Sequence, residues 1–351
     1  MTVPRRGKAI RNYVLANVSD HPRDISRETE KHLGVSRQAV NRHMRVLVRD
    51  GLLSATGKTR ARQYYLTPLV ATSFRLAVTP RLEEHIAWRE TISPLLSDVA
   101  DNVIQICQHG FEEMVNNVVS HSDGQTLTIE ITRTAVRVEV TVSDDGVGIF
   151  NNIQKTFGYD DPRHALLELS KGKVTSDPDR HTGEGVFFTS RMFDEFNILS
   201  GELFFSRRND HDDWLIEVED LTFTSTGTRV FMAIHPQATQ TSKEIFDRFA
   251  SGEDWSFSKT HVPIILARYE KEQLLSRSQA RRVLARFERF REVILDFKGV
   301  EQIGQAFADE IFRVFHREHP EIQILTLFAN ADVQQVISRV TMGANEFEQL
   351  S

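Results

Sequence analysis

Two β-like runs, Leu127–Arg133 (LTIEITR) and Val136–Gly146 (VRVEVTVSDDG), stand side by side with only a short turn between them. Both are rich in Val, Ile and Thr, the composition of a pleated and half-buried surface, and the spacing is that of a hairpin. A helical stretch, Phe111–Ser122, precedes them. After them come a long polar segment punctuated by Gly and Pro, a helix at EGVFFTSRMFDEF, and strand-like runs at NILSGELFFS, DDWLIEVED and TGTRVFMAIHP. Helix, two strands, long loop, helix, three strands is the order of an α+β sandwich with helices over one sheet face. It is not the alternation of a doubly wound sheet. The glycines of SDDGVGI (Ser143–Ile149) are therefore not a dinucleotide-binding or P-loop turn.

Wound at about 100° per residue, FEEMVNNVVSHS separates into two faces. Phe111, Met114, Val115, Val118 and Val119 fall on one, and Glu113, Asn116, Asn117, Ser120 and His121 on the other. Glu113 and Asn117 are i and i+4, so they point the same way one turn apart. Taken alone this is an amphipathic helix with a wet polar face. Its meaning depends on what the later glycine patterns bring to it.

The set Glu113-x3-Asn117, Asp144-x-Gly146-x-Gly148 and Gly183-x-Gly185 resembles, in order and spacing, the ATP-binding boxes of the GHKL family. That family includes DNA gyrase, a heat-shock chaperone, mismatch-repair ATPases, histidine kinases and anti-sigma serine kinases. The resemblance covers about 135 residues and implies a Bergerat-type ATP-binding sandwich holding ATP and Mg²⁺. It makes Asp144 the acceptor for the adenine 6-amino group, with Asp145 as the neighbour most easily confused with it. Gly146 and Gly148 would let the backbone pass close to the base. Asn117 would offer a neutral amide oxygen to magnesium, a hard cation that prefers oxygen. Glu113 would polarise the water that attacks the γ-phosphate. Gly183 and Gly185 precede a helix whose N-terminal N–H groups suit phosphate oxygens. The resemblance makes the segment with Lys171, Lys173 and Thr182 an ATP lid; its lysines read either as charge-neutralising groups or as solvated loop residues. His121 sits where the family often has a basic residue near the phosphates, and Asn116 reads as a hydrogen-bonded polar neighbour. The stretch Glu113–His121 is close to the box of the anti-sigma kinases, yet the motif alone does not separate hydrolysis from transfer to a protein serine.

The chain is long enough for two or three domains, and 40% hydrophobic with 26% charged residues is a soluble globular composition. No run of about 18 apolar residues offers a membrane span. The N-terminus has no apolar core of a secretory signal, so the expected compartment is cytoplasmic. The single cysteine, Cys107, excludes an intramolecular disulfide and a cysteine metal cluster. Charge is divided unevenly. Residues 1 to 70 hold 14 Lys/Arg and 5 Asp/Glu, a net of +9 within a chain total of −6, which leaves −15 for the rest. A basic head on an acidic body suits a polyanionic partner.

That head reads as helix Ile25–Leu33, a turn at Gly34-Val35, and a second helix capped by Ser36. Ala39, Val40, Met44, Leu47 and Val48 face the core, and Arg37, Gln38, Asn41, Arg42 and Arg45 are left outside. A hairpin follows with Lys58, Arg60 and Arg62 at its tip. The pattern resembles a winged helix-turn-helix, in which such side chains read base edges and phosphates of double-stranded DNA. Docking to protein is the competing reading.

Residues 71–98 are expected to form a helical connector, 99–235 the ATP-binding domain, and 236–260 a polar linker. In 261–351 strands alternate with helices, a small α/β domain with a mostly parallel sheet. This tail resembles the STAS-like (DUF4325-type) domains found behind some of these ATPases, through Val293-Ile-Leu-Asp296-Phe-Lys-Gly-Val300 and the helix opening near Gly304. Related antagonists open that helix with a phosphorylated serine, whereas Gly304-Gln305-Ala306 has no hydroxyl, which favours a docking or dimerising role. The whole reads as a multidomain switch, an ATP-binding and DNA-binding transcriptional regulator. It is expected to be a homodimer with a possible protein partner at the tail. The alternatives are a serine/threonine kinase acting on a separate antagonist protein, and a protein-docking ATPase without DNA function.

Overall fold

The computed structural model describes residues 3–174, 183–208, 214–217, 226–251, 256–268 and 272–348. The head is built from α1 (Val3–Asn17), α2 (Ile25–Leu33), α3 (Arg37–Arg49) and the hairpin β1 (Leu53–Thr56) and β2 (Gln63–Leu66). Ser36 caps α3 through a hydrogen bond accepted from the Ala39 amide (3.3 Å). Val40, Met44 and Leu47 are buried with Ile10, Val14 and Ile25 in a core of the head's own. His43 joins them as a buried polar residue, its pKa held down by burial and then by Arg11 and Arg42.

The second body is one antiparallel sheet of seven strands. Its strands are β3 (Val70–Ala77), β4 (Thr126–Arg133), β5 (Val138–Asp144), β6 (Glu195–Ser200), β7 (Leu203–Arg208), β8 (Trp214–Glu217) and β9 (Thr228–Ile234), in the order β3-β4-β5-β9-β6-β7-β8. Leu127, Ile129 and Ile131 of β4 alternate with half-buried residues, so one face carries the core and the other meets water. Five helices belong to this body: α4 (Glu84–Thr91), α5 (Asp101–His121), α6 (Ile149–Phe157), α7 (Pro162–Lys171) and α8 (Gly185–Met192). The long α5 lays Val103, Ile106, Cys107, Phe111, Met114, Val115 and Val118 into the core. The Cys107 thiol is buried there and its pKa is pushed up to about 12 by desolvation.

Three expectations are corrected. The start of the supposed helical connector is β3, which pairs with β4 from Val70↔Arg133 to Ala77↔Thr126 and forms the sheet edge. The polar stretch after Ile149 holds two helices, the second opened by Pro162 and capped by the Asp161 carboxylate, which accepts from the Arg163 amide (2.8 Å). The supposed linker holds α9 (Ser242–Phe249), with a capping box between Thr241 and Glu244, and a two-residue ladder of β10 (Ala250–Ser251) with β11 (Ser256–Phe257).

The C-terminal part is a three-stranded parallel sheet of β12 (Lys259–Pro263), β13 (Glu292–Asp296) and β14 (Gln323–Leu327), in that order. It is accompanied by α10 (Arg277–Leu284), α11 (Gln305–Asp309), a π-helical stretch Glu310–Phe315, α12 (His316–Glu318) and α13 (Ala331–Glu348). Its core is continuous with that of the central body. Phe187 of α8 lies 4.6 Å from the ring of Phe257, which lies 5.4 Å from Phe290, and Phe246 and Phe249 of α9 close on Phe188 and Phe187. Gly304 caps α11, and a methyl group there would approach the Leu275 Cα to 2.6 Å, so a serine does not fit this turn as built. Among the described residues no helix is long and apolar enough to cross a membrane.

Candidate functional site

A cavity of about 310 Å³ opens beside the end of α5, within the size range of small-ligand sites. Glu113, Asn117 and His121 line it from α5, Asp144 from the end of β5, Gly183 from the turn before α8 and Gly185 from its first position. Residues seventy apart in the chain are thus brought to one wall. They meet because β5, an interior strand of the sheet, ends where the polar face of α5 and the first turn of α8 converge.

The two neighbouring aspartates are separated by their surroundings. Asp144 is half-buried on the wall, and its Oδ1 accepts from the Gly146 amide (2.8 Å). Burial raises its pKa above the usual carboxylate value, against the pull of that hydrogen bond. Asp145 is exposed and spends Oδ1 on the amides of Gln125 (2.7 Å) and Thr126 (2.9 Å). Those backbone hydrogen bonds, Thr126 first, lower its pKa. Asp145 holds a turn, while the Asp144 carboxylate, which also accepts from the Thr228 amide, lines the cavity.

Gly146 and Gly148 do not line the cavity. Gly146 packs so closely on the Ser122 carbonyl that a Cβ would overlap it, and Gly148 caps α6 against Ser200. They shape the loop that carries Asp144. Gly185 is more direct. It abuts the Glu113 carboxylate, and a side chain at 185 would collide with Oε2. The pKa of Glu113 is raised, first by burial and then by Glu112, Glu184 and Glu84. A carboxylate poised to take a proton stands at a helix N-terminus that prefers negative charge.

The lysines behave otherwise than expected. Lys171 is fully buried away from the cavity, donating from Nζ to Glu168 Oε1 (2.5 Å), Ala285 O (2.9 Å) and Arg282 O (3.2 Å). It joins α7 to the C-terminal part. Lys173 donates to Arg289 O (3.0 Å), with its ammonium 5.0 Å from the Phe290 ring and 5.3 Å from that of Phe257. Burial lowers the pKa of both. Neither is placed to neutralise charge in the cavity, and Thr182 lies outside the described residues.

Asn116 and several residues outside the three boxes complete the wall. Asn152 of α6 donates from Nδ2 to His121 O (2.8 Å), and Thr228 Oγ1 accepts from the Ile149 amide (2.9 Å). Phe157, Val174 and Asn116 line the cavity as well, Asn116 also accepting from Ser120 Oγ (3.2 Å). Of these, Thr228 alone carried a local signal, following the glycine of TGTRVF at a strand start.

The basic positions of the head form a separate surface. Arg37, Gln38, Arg42 and Arg45 of α3 are exposed and Asn41 is half-buried. Lys58 and Arg62 are exposed at the hairpin tip, Arg62 lying 5.2 Å over the Tyr64 ring, while Arg60 sits in the 3₁₀ turn Thr59–Ala61 between the strands.

Residues 279–335 match the family described as a STAS-like domain of unknown function (DUF4325). The sensor histidine kinase DesK of Bacillus subtilis (strain 168) is 34% identical over 101 residues, 28% of this chain and 25% of that protein. The match thus spans about a quarter of that relative's length.

Proposed function

We propose that the chain binds Mg·ATP in the cavity between α5, β5, α6 and α8, and acts as a nucleotide-controlled protein of the GHKL type. The observation that carries this is the sorting of the two aspartates, Asp144 on the wall with an acceptor oxygen and Asp145 spent on a turn. Asp144 would accept from the adenine amino group, which guanine lacks at that position. Asn117 would hold magnesium. Among the described residues no group of three His, Cys, Asp or Glu could bind a metal unaided, so the ion's remaining ligands would be phosphate and water oxygens. ATP supplies a transferable γ-phosphoryl group. Glu113, with its raised pKa, would take the proton from the attacking hydroxyl, and the first-turn amides of α8 would suit phosphate oxygens.

The attacking hydroxyl belongs to water in a hydrolytic switch and to a protein side chain in a kinase. Similarity to a sensor histidine kinase and the STAS-like tail support the kinase reading. Gly304, where a hydroxyl does not fit, directs any acceptor of the antagonist kind to a separate protein. Incubation of the purified chain with γ-labelled ATP and cell extract separates the two: label retained on protein supports a kinase, and free phosphate supports hydrolysis. The exposed arginines of α3 favour a DNA-binding role for the head. A mobility shift that weakens steeply as salt rises is its expected signature, and a salt-independent shift would refute it.

A further inference from the structure

The cavity wall is braced from outside the central body. Arg286 lies in the C-terminal part, between α10 and the 3₁₀ turn Phe287–Arg289, in the left-handed region at φ +67°. A non-glycine residue keeps that conformation only where its surroundings hold it, and such residues cluster at functional positions. Its side chain, 12% exposed, crosses to the central body. There Nη2 donates to the Lys173 carbonyl, the guanidinium lies 5.0 Å over the Phe157 ring, and Nη1 stands 3.8 Å from Glu168 Oε2. Arg286 also acts on Tyr159, pulling down the pKa of a phenol that burial raises.

Two of these contacts reach the cavity. Phe157 is itself a wall residue, and Lys173 immediately precedes another, Val174. The hold on Lys173 is doubled, since Arg289 Nη1 donates to the same carbonyl (3.0 Å) while Lys173 Nζ returns a hydrogen bond to Arg289 O (3.0 Å). Val174 in turn donates its amide to Gly183 O (3.1 Å), and Gly183 begins the Gly-x-Gly turn on the same wall. A continuous path therefore runs from Arg286 through Lys173 and Val174 to Gly183, with a second arm onto Phe157. The planar guanidinium suits this post because it can donate in its plane and stack on its face at once, which an ammonium cannot.

We propose that Arg286 is a positioning residue for the nucleotide site, through which the docked STAS-like domain sets the wall formed by Phe157, Val174 and Gly183. The assignment rests on the nucleotide reading above. Nucleotide affinity and docking of the C-terminal domain are then two views of one equilibrium, and each changes the other by the same factor.

The test uses the full-length chain as wild type, Arg286→Ala, Arg286→Lys, Phe157→Leu, and the double variant of Arg286→Ala with Phe157→Leu. Mg·ATP affinity is measured by calorimetry, and exchange of the Val174 amide by mass spectrometry. Arg286→Ala should weaken ATP about tenfold and speed exchange at Val174, with Arg286→Lys between it and wild type. The effect of Arg286→Ala should shrink in the Phe157→Leu background, because both act through one wall. An ATP affinity within about twofold of wild type, or effects of the two substitutions that simply multiply, would overturn the proposal. Should Arg286→Ala not fold, Arg286→Lys carries the same comparison. A wild-type chain that does not bind Mg·ATP refutes the nucleotide reading, and unchanged exchange at Val174 in the Arg286 variants refutes the brace separately.

Discussion

Asp144→Asn replaces one carboxylate oxygen on the cavity wall by an amide nitrogen. The asparagine is isosteric, and its amide oxygen can still accept from the Gly146 amide as Asp144 Oδ1 does at 2.8 Å. The other carboxylate oxygen becomes an NH₂, which would present a donor to the adenine amino donor. Hydrogen bonds to charged groups contribute about 1.5–3 kcal/mol, and every 1.4 kcal/mol is tenfold in affinity. Roughly 10- to 100-fold weaker Mg·ATP binding is therefore expected on those magnitudes. Fold stability should not fall. Burial raises the Asp144 pKa, so this carboxyl's contribution is fully present below its unfolded value and is lost as pH rises through the folded value. A neutral amide removes that loss. The assay is calorimetric titration with Mg·ATP and Mg·GTP, accompanied by thermal unfolding. Discrimination against GTP should collapse along with ATP affinity. Binding within about threefold of wild type, or a larger loss from Asp145→Asn than from Asp144→Asn, would refute the assignment of the adenine contact.

Other perturbations have equally definite outcomes. Glu113→Gln should abolish phosphoryl chemistry while leaving ATP bound; because burial raises the Glu113 pKa, its stability advantage over wild type should be present at pH 7–8 and vanish below the ordinary carboxylate range, as read by chemical denaturation at both pH values. Gly185→Ala should impair turnover by pushing the Glu113 carboxylate aside, whereas Gly158→Ala, with open space at its Cβ but φ +67°, should cost only about 1 kcal/mol of stability and spare ATP binding. Lys171→Ala leaves the buried Glu168 carboxylate only its longer contacts to His164 (3.7 Å) and Arg286 (3.8 Å) and frees two carbonyls, so a loss of roughly 3 kcal/mol is expected by denaturant titration, and a loss no larger than that of an exposed lysine would contradict the buried pair.

The ordered boxes, the two-strand spacing and the capped α3 could be seen in the chain itself because each depends on residues close in sequence. Ser36 needs only Ala39, and Glu113 and Asn117 need only one helical turn. The capping box of α9 was equally local, Thr-x-x-Glu at 241–244, but a polar composition hid it, and the apolar face of Ile245, Phe246 and Phe249 found its meaning only against α8. Residues 70–77 show why strands are harder. An edge strand is held by hydrogen bonds to a partner 49 to 63 residues away, and no local pattern in VATSFRLA names β4 as that partner.

Sequence by itself determined which side chains were available for chemistry and in what order along the chain. Tertiary structure decided which of them share a surface. Asp144 and Asp145 are chemically identical neighbours at the end of one strand, and alternation of side chains sends one to the cavity and the other to the amides of the 125–126 turn. Lys171 looked like a loop cation because nothing near it in sequence announces the carbonyls of Arg282 and Ala285 that bury it. A charge is placed by whatever compensates its desolvation, and here Glu168 supplies only part of that, the two carbonyls lying more than a hundred residues away.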